Sequence, residues 1–163
     1  MPVINGRMQR AGGDHRAVPL HYQKTPEGVA FTLDLTSAYA DPALETFVRS
    51  FEWTVDPLHQ SARLHLTDTF RFGASGGQVV ECFISLVQPA IADNCITWNG
   101  HHGSVTMLFD PAEFTAEVNV LETKTHQGDD IVVYRLQLQA KTRVHDQAIT
   151  FTFDVSTSSR AAI

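Results

Sequence analysis

The chain has 163 residues, of which 43% are hydrophobic and 18% charged, and a formal net charge of −6. At that length one core buries roughly 70% of the surface the unfolded chain exposes, so neither a disulfide nor a metal staple is required. The composition excludes a disordered chain, and the acidic balance argues against a nucleic-acid partner, which would need a basic face.

Nearly every segment reads as strand. The dipeptide Asn5-Gly6 carries the chemistry of a tight turn. Val29, Phe31, Leu33 and Leu35 then alternate with smaller or polar residues, the period-2 pattern of a half-buried strand. Short helical pieces are expected only at Ser37–Ala40, Pro42–Glu45 and Pro111–Phe114. From Phe47 to Val55 the apolar phase resumes with Phe47, Phe51, Trp53 and Val55. Leu64, Leu66, Phe70 and Phe72 repeat it, with His65, Thr67, Thr69 and Arg71 on the opposite face. Gly73–Gly77 and Gln127–Asp129 are polar turns. Asn99-Gly100 is a two-residue hairpin signal between Ile96–Trp98 and Ser104–Phe109. Val105, Met107 and Phe109 alternate after it, as do Ile149, Phe151, Phe153 and Val155 near the end. The expectation is one all-β domain over residues 1–155, an antiparallel β-sandwich of about ten strands. Residues 156–163 are small and mostly polar and are expected to form a fraying tail.

One hairpin can be counted residue by residue. Arg49 lies in the apolar phase of its strand, and Asp68 lies in the apolar phase of the next. With residues 56–61 as the connection, Val55 faces Ala62, Trp53 faces Leu64, Phe51 faces Leu66, Arg49 faces Asp68 and Phe47 faces Phe70. A guanidinium and a carboxylate then meet on the buried face. Isolated buried charges are very costly, so the pair is expected as a structural ion pair that fixes register. An arginine held ready for an anionic sugar is the functional alternative.

Signals for chemistry are sparse. His101 and His102 are neighbours near a turn, where successive side chains point apart, so they are poorly placed to share a metal. His15, His21, His59, His65, His126 and His145 show no paired ligand spacing, and no metal or other cofactor is expected within this chain. Cys82 and Cys95 are too few for a disulfide framework and sit in apolar stretches. They read as reduced thiols, with a bridge between adjacent strands as the alternative. Glycine-flanked serine elbows, phosphate loops and dinucleotide fingerprints are absent. Glu113 with Glu117, and Asp129 with Asp130, read as solvated faces. No apolar run reaches the roughly 18 residues of a helical membrane span, so no membrane partner is expected. Nine of the twelve basic residues are arginines, and their local clustering leaves an acidic polysaccharide open as a ligand.

Two short runs carry a family likeness. Ile4, Gly6, Gln9 and Gly12 or Gly13 fit an Ile-x-Gly-x-x-Gln run followed by glycine, and Asp34-Leu-Thr-Ser-Ala-Tyr39 fits an Asp-Leu-Thr-x-Ala-Tyr segment. Together they resemble the heparinase II/III-like polysaccharide lyases, at the point where a strand leads into the C-terminal β-sandwich. Members of that family cleave uronic-acid polysaccharides by β-elimination. A tyrosine of an N-terminal α/α toroid and histidines of the adjoining β-sheet region, which also binds zinc, act there as base, acid and metal ligands. The resemblance implies that the metal-binding histidine lies just upstream of Pro2. It also implies that the toroid and catalytic region of a larger parent are this chain's partners, and that zinc belongs to that parent.

On that reading the chain is a structural or accessory C-terminal domain without catalytic residues. Asn5 and Gln9 follow the metal-ligand histidine by analogy, which makes them candidates to bond sugar hydroxyls; turn chemistry is the competing explanation for Asn5. Tyr39 is expected to pack a corner of the sandwich. A free-standing carbohydrate-binding module is the rival, with Trp98 beside a turn as its stacking residue; alternation assigns Trp53 to the core. Homo-oligomer contact through an exposed sheet face is a third use. Composition leaves the compartment open.

Overall fold

The computed structural model describes residues 1–157 as twelve strands in two antiparallel sheets. In chain order they are β1 (Val3–Ile4), β2 (Val18–Thr25), β3 (Gly28–Asp34), β4 (Leu44–Asp56), β5 (Ser61–Phe72), β6 (Val79–Ser85), β7 (Ala90–Ala92), β8 (Cys95–Gly100), β9 (Gly103–Leu108), β10 (Phe114–Lys124), β11 (Asp130–Ala140) and β12 (Asp146–Thr157). The smaller sheet runs β1-β6-β11-β10 and the larger β2-β3-β4-β5-β12-β9-β8-β7. Two of the twelve, β1 and β7, are only two and three residues long, which is why their sequences carry little strand signal. Of the expected helical pieces, Thr36–Ala38 forms one 3-10 turn, while residues 42–43 and 111–113 are simple turns. The last strand runs on to Thr157: Ser156 pairs with Ser61 and with Ser104, so the paired structure includes the first two residues of the expected tail. The remainder of that tail, 158–163, lies outside the described residues.

Period-2 alternation builds the core directly. Phe47, Phe70 and Phe151 from the larger sheet are fully buried against Ile4, Val79, Leu136 and Leu138 from the smaller. Burying each such side chain contributes about 1.5–3 kcal/mol. Aromatic rings join along and across the sheets: Phe47 stacks on Phe70 at 4.6 Å, and Phe83 of the smaller sheet meets Phe151 edge-on at 5.5 Å. The β4–β5 ladder pairs Val55 with Ala62, Trp53 with Leu64, Phe51 with Leu66, Arg49 with Asp68 and Phe47 with Phe70. Asp56 closes the hairpin, its Oδ1 accepting from the backbone N–H groups of Leu58 and His59.

The β8–β9 hairpin differs from its sequence reading. Asn99 and Gly100 are still in the strand, paired with Ser104 and Gly103, and His101-His102 make the turn, both exposed. Register is decided by burial here. Ile96 must face Met107, and Trp98 must face Val105, to keep one apolar face inward. Gly103 is needed for a different reason: a Cβ there would run into the Ser156 backbone of the adjoining strand.

The two sheets are unequal, and this shapes the surface. Beyond the last cover provided by the smaller sheet, the inward-facing side of the β3–β4–β5 end stands open. Trp53, assigned to the core by alternation, is therefore 37% exposed, and Val55 42%. Alternation reports which face a side chain takes, but not whether a second layer reaches it.

Candidate functional site

The residues singled out in the sequence occupy one end of the sandwich, around Met1 and β6. Asn5 and Gly6, with φ of 49° and 75°, are the two central residues of a tight hairpin turn closed by reciprocal Ile4 and Arg7 backbone bonds of 2.9 and 2.8 Å. The Asn5 side chain is committed to structure. Its Nδ2 donates to Asp41 at 3.1 Å, and its Oδ1 accepts from the Gln78 backbone N–H at 2.8 Å. Gln9 is exposed and, with Met8, lines a shallow hollow over Cys82, Ile84 and Arg135. Trp98 lies half-buried on the other side of the β6 edge. Its indole N–H donates to Ser85 Oγ at 3.1 Å, bridging the two sheets, and its ring lies 6.4 Å from that of Phe153. With Phe83, Val87, Val105 and Phe153 it lines a mainly apolar groove of about 520 Å³ that begins at Met1. Gln9 and Trp98 thus flank β6 from opposite sides, while Asn5 belongs to the turn.

Beneath Met1 lies a buried charge cluster. Arg49 Nε donates to Asp68 Oδ1 at 2.6 Å, and its Nη2 donates to both Asp68 Oδ2 and, at 3.2 Å, Glu81 Oε2. All three side chains are buried, Asp68 and Glu81 completely. Glu81 enters from β6 of the opposite sheet, so the cluster ties the layers together. The sequence reading missed it, although the signal was the same one that marked Arg49: Glu81 sits in phase with Val79 and Phe83. Two carboxylates share one guanidinium. Burial first, and then the neighbouring Asp68 carboxylate, raise the Glu81 pKa well above the ordinary carboxylate range. Glu81 Oε1 is buried without a hydrogen-bond partner, so a proton on this carboxyl removes a charge that the single guanidinium leaves uncompensated. Desolvation likewise lowers the pKa of the Met1 ammonium, which donates to the Cys82 carbonyl at 2.9 Å. Tyr39, buried beside them, donates from its hydroxyl to the Pro2 carbonyl at 2.8 Å. Arg49 Nε and Nη2 are thus engaged with protein carboxylates and Nη1 points at Met1 Sδ at 3.2 Å, so the buried guanidinium presents no free face to a ligand.

Cys82 is buried, Cys95 is half-buried, and both are free thiols. Among the described residues no group of three His, Cys, Asp or Glu side chains is arranged to hold a metal. A second trough of about 500 Å³, on the outer face of the larger sheet, is floored by Arg63 and Asp154, which pair at 2.6 Å.

No family model matches the chain, and no curated protein matches its sequence. Among solved structures, the heparan sulfate lyase HepC from Pedobacter heparinus superposes with a TM-score of 0.68 over 99% of this chain, at 9% sequence identity. The likeness is one of fold. The chain spans 24% of the length of that lyase chain. A β-sandwich of similar fold therefore forms part of a heparan sulfate lyase.

Proposed function

We propose that this chain is the C-terminal β-sandwich of a heparinase II/III-like polysaccharide lyase, a structural and accessory domain that carries no catalytic residues of its own. The parent would act by β-elimination on a uronic-acid polysaccharide. Its base, acid and zinc would come from a toroid and a catalytic region outside this chain. The observation that carries this reading is the match of the whole sandwich to about a quarter of the HepC chain, together with the Asp34–Tyr39 and Ile4–Gln9 runs. The chemistry of the described residues agrees with an accessory role. Asn5 and Arg49 are consumed in structural bonds, and Tyr39 is buried with its hydroxyl bonded to a backbone carbonyl.

An ultraviolet absorbance assay for unsaturated uronate tests it, with heparin, heparan sulfate, alginate and hyaluronan as substrates. The expected result is turnover by the longer protein containing this sandwich and none by residues 1–163 alone. Product formed by the chain alone would overturn the reading.

One observation favours a second reading, a carbohydrate-binding module. Tyr22, Phe31, Phe51 and Trp53 lie side by side on the uncovered face of the larger sheet, with Phe31 stacked on Phe51 at 4.7 Å. Tyr22 is 67% exposed, and Lys24 stands in the same row as Trp53 across β3. Such a platform suits stacking on a sugar ring. Weakened oligosaccharide binding in Trp53→Ala, with Trp98→Ala unchanged, is the outcome this reading requires in calorimetric titration.

A further inference from the structure

The edge of β6 is the least finished part of the smaller sheet. On one side β6 pairs with β11 over six residues, Val80 to Ser85. On the other it pairs with β1 at Val79 and Val80 only. The ladder then runs one step further, because the Met1 nitrogen donates to the Cys82 carbonyl at 2.9 Å. In an antiparallel ladder alternate residues direct both backbone groups to the same neighbour. Cys82 faces the β1 side, so Ile84 faces it too, and among the described residues no strand lies beyond Met1 to meet it. Two apolar side chains of this stretch are uncovered, Ile84 at 62% exposed and Leu86 at 66%. Next to the same edge runs the groove walled by Phe83, Trp98 and Phe153. An open strand edge beside an apolar groove is what added strands use, with backbone bonds holding them and alternate side chains filling the groove.

We propose that Phe83–Ser85 of β6 receives an added β-strand, antiparallel to β6 and in line with β1, from the catalytic region that the lyase reading places beside this sandwich. The proposal rests on that reading for the origin of the strand. The register follows from Val3 facing Val80. The strand residue two places before Met1 in line faces Ile84, and its immediate neighbours on either side, facing Phe83 and Ser85, point toward the groove and are apolar. Continuity with the β1 ladder argues for a collinear strand rather than a second copy of this chain.

Hydrogen–deuterium exchange at the Ile84 amide tests it. Residues 1–163 are compared with the longer protein, and with two versions bearing six extra N-terminal residues, Thr-Val-Thr-Val-Thr-Val or the same length with proline in place of each valine. The expected result is slowing of Ile84 exchange by about tenfold or more in the longer protein and in the Thr-Val version, and none in the proline version. Ile84→Pro should cancel any gain in unfolding midpoint that the Thr-Val extension produces. It should leave the unextended chain nearly unchanged, since its edge N–H has no partner to lose. Equal exchange at Ile84 in all four proteins would overturn the proposal. Uronate product is read separately, so slow exchange in a longer protein without lyase activity would sustain the strand site while the lyase reading fell.

Discussion

At the scale of single residues the decisive group is Glu81, a fully buried acid beside Asp68 with one arginine between two carboxylates. Its folded-state pKa is raised above the unfolded value, so the native state holds a proton that the unfolded state releases. The stability tied to that proton is fully present below the unfolded pKa and is lost as pH rises toward the folded pKa. The urea midpoint of the native protein should accordingly fall as pH rises above about 4.5. Glu81→Gln keeps the shape without the titration. It is expected to flatten that slope and to match or exceed the native midpoint at neutral pH. A native slope that survives the substitution would place the titrating group elsewhere. Arg49 answers the opposite question. Arg49→Leu leaves Asp68 and Glu81 buried without their cation and should cost about 3–5 kcal/mol, measured by the same denaturant titration.

At the scale of elements, the turn before β2 shows how a local signal and a distant contact divide the work. Asn-Gly supplies the two positive φ angles that the turn requires. The Asn5 side chain then fastens that turn to Asp41 and to the chain entering β6. Asn5→Ala should cost about 1–3 kcal/mol, combining an unmade bond to the Gln78 N–H with a residue less suited to positive φ. Asn5→Gly, which restores only the backbone freedom, should recover part of that loss in thermal unfolding. Full recovery would mean the side-chain bonds contribute nothing. The β4–β5 hairpin is legible because each member of the count is apolar or charged in phase, ending on Arg49 opposite Asp68. The β8–β9 hairpin misleads because Asn99-Gly100 resembles a turn locally, while the burial of Trp98, Val105 and Met107 requires pairing two residues further.

At the scale of the whole molecule, the mismatch between an eight-stranded and a four-stranded sheet sets which parts are stable. The half of β4 and β5 under the smaller sheet holds Phe47, Leu66 and Phe70, all buried, whereas Glu52–Val55 is exposed throughout, and so is all of β2. Amide exchange should follow that boundary, with residues 52–63 and 18–25 opening well before 44–50 and 66–72. Uniform protection along β4 would show that the open end is covered in solution. The same mismatch leaves the Tyr22–Trp53 face bare, and the short β1 leaves the β6 edge bare. Both are surfaces that only the relative sizes of the layers create.

The all-β class, the antiparallel sandwich and the inward face of most strands followed from period-2 alternation, because a pleated strand reports its own facing through every second residue. The opposition of Arg49 and Asp68 could be counted for the same reason, since both belong to one hairpin. Tertiary structure alone decided what lies between distant strands. It brought Glu81 across from β6 to make a pair into a three-residue cluster, and it set Trp98 against Ser85. It also withheld cover from Trp53. Local pattern specifies direction, whereas burial depends on how far an opposing sheet extends, and that extent is set by strands remote in the chain.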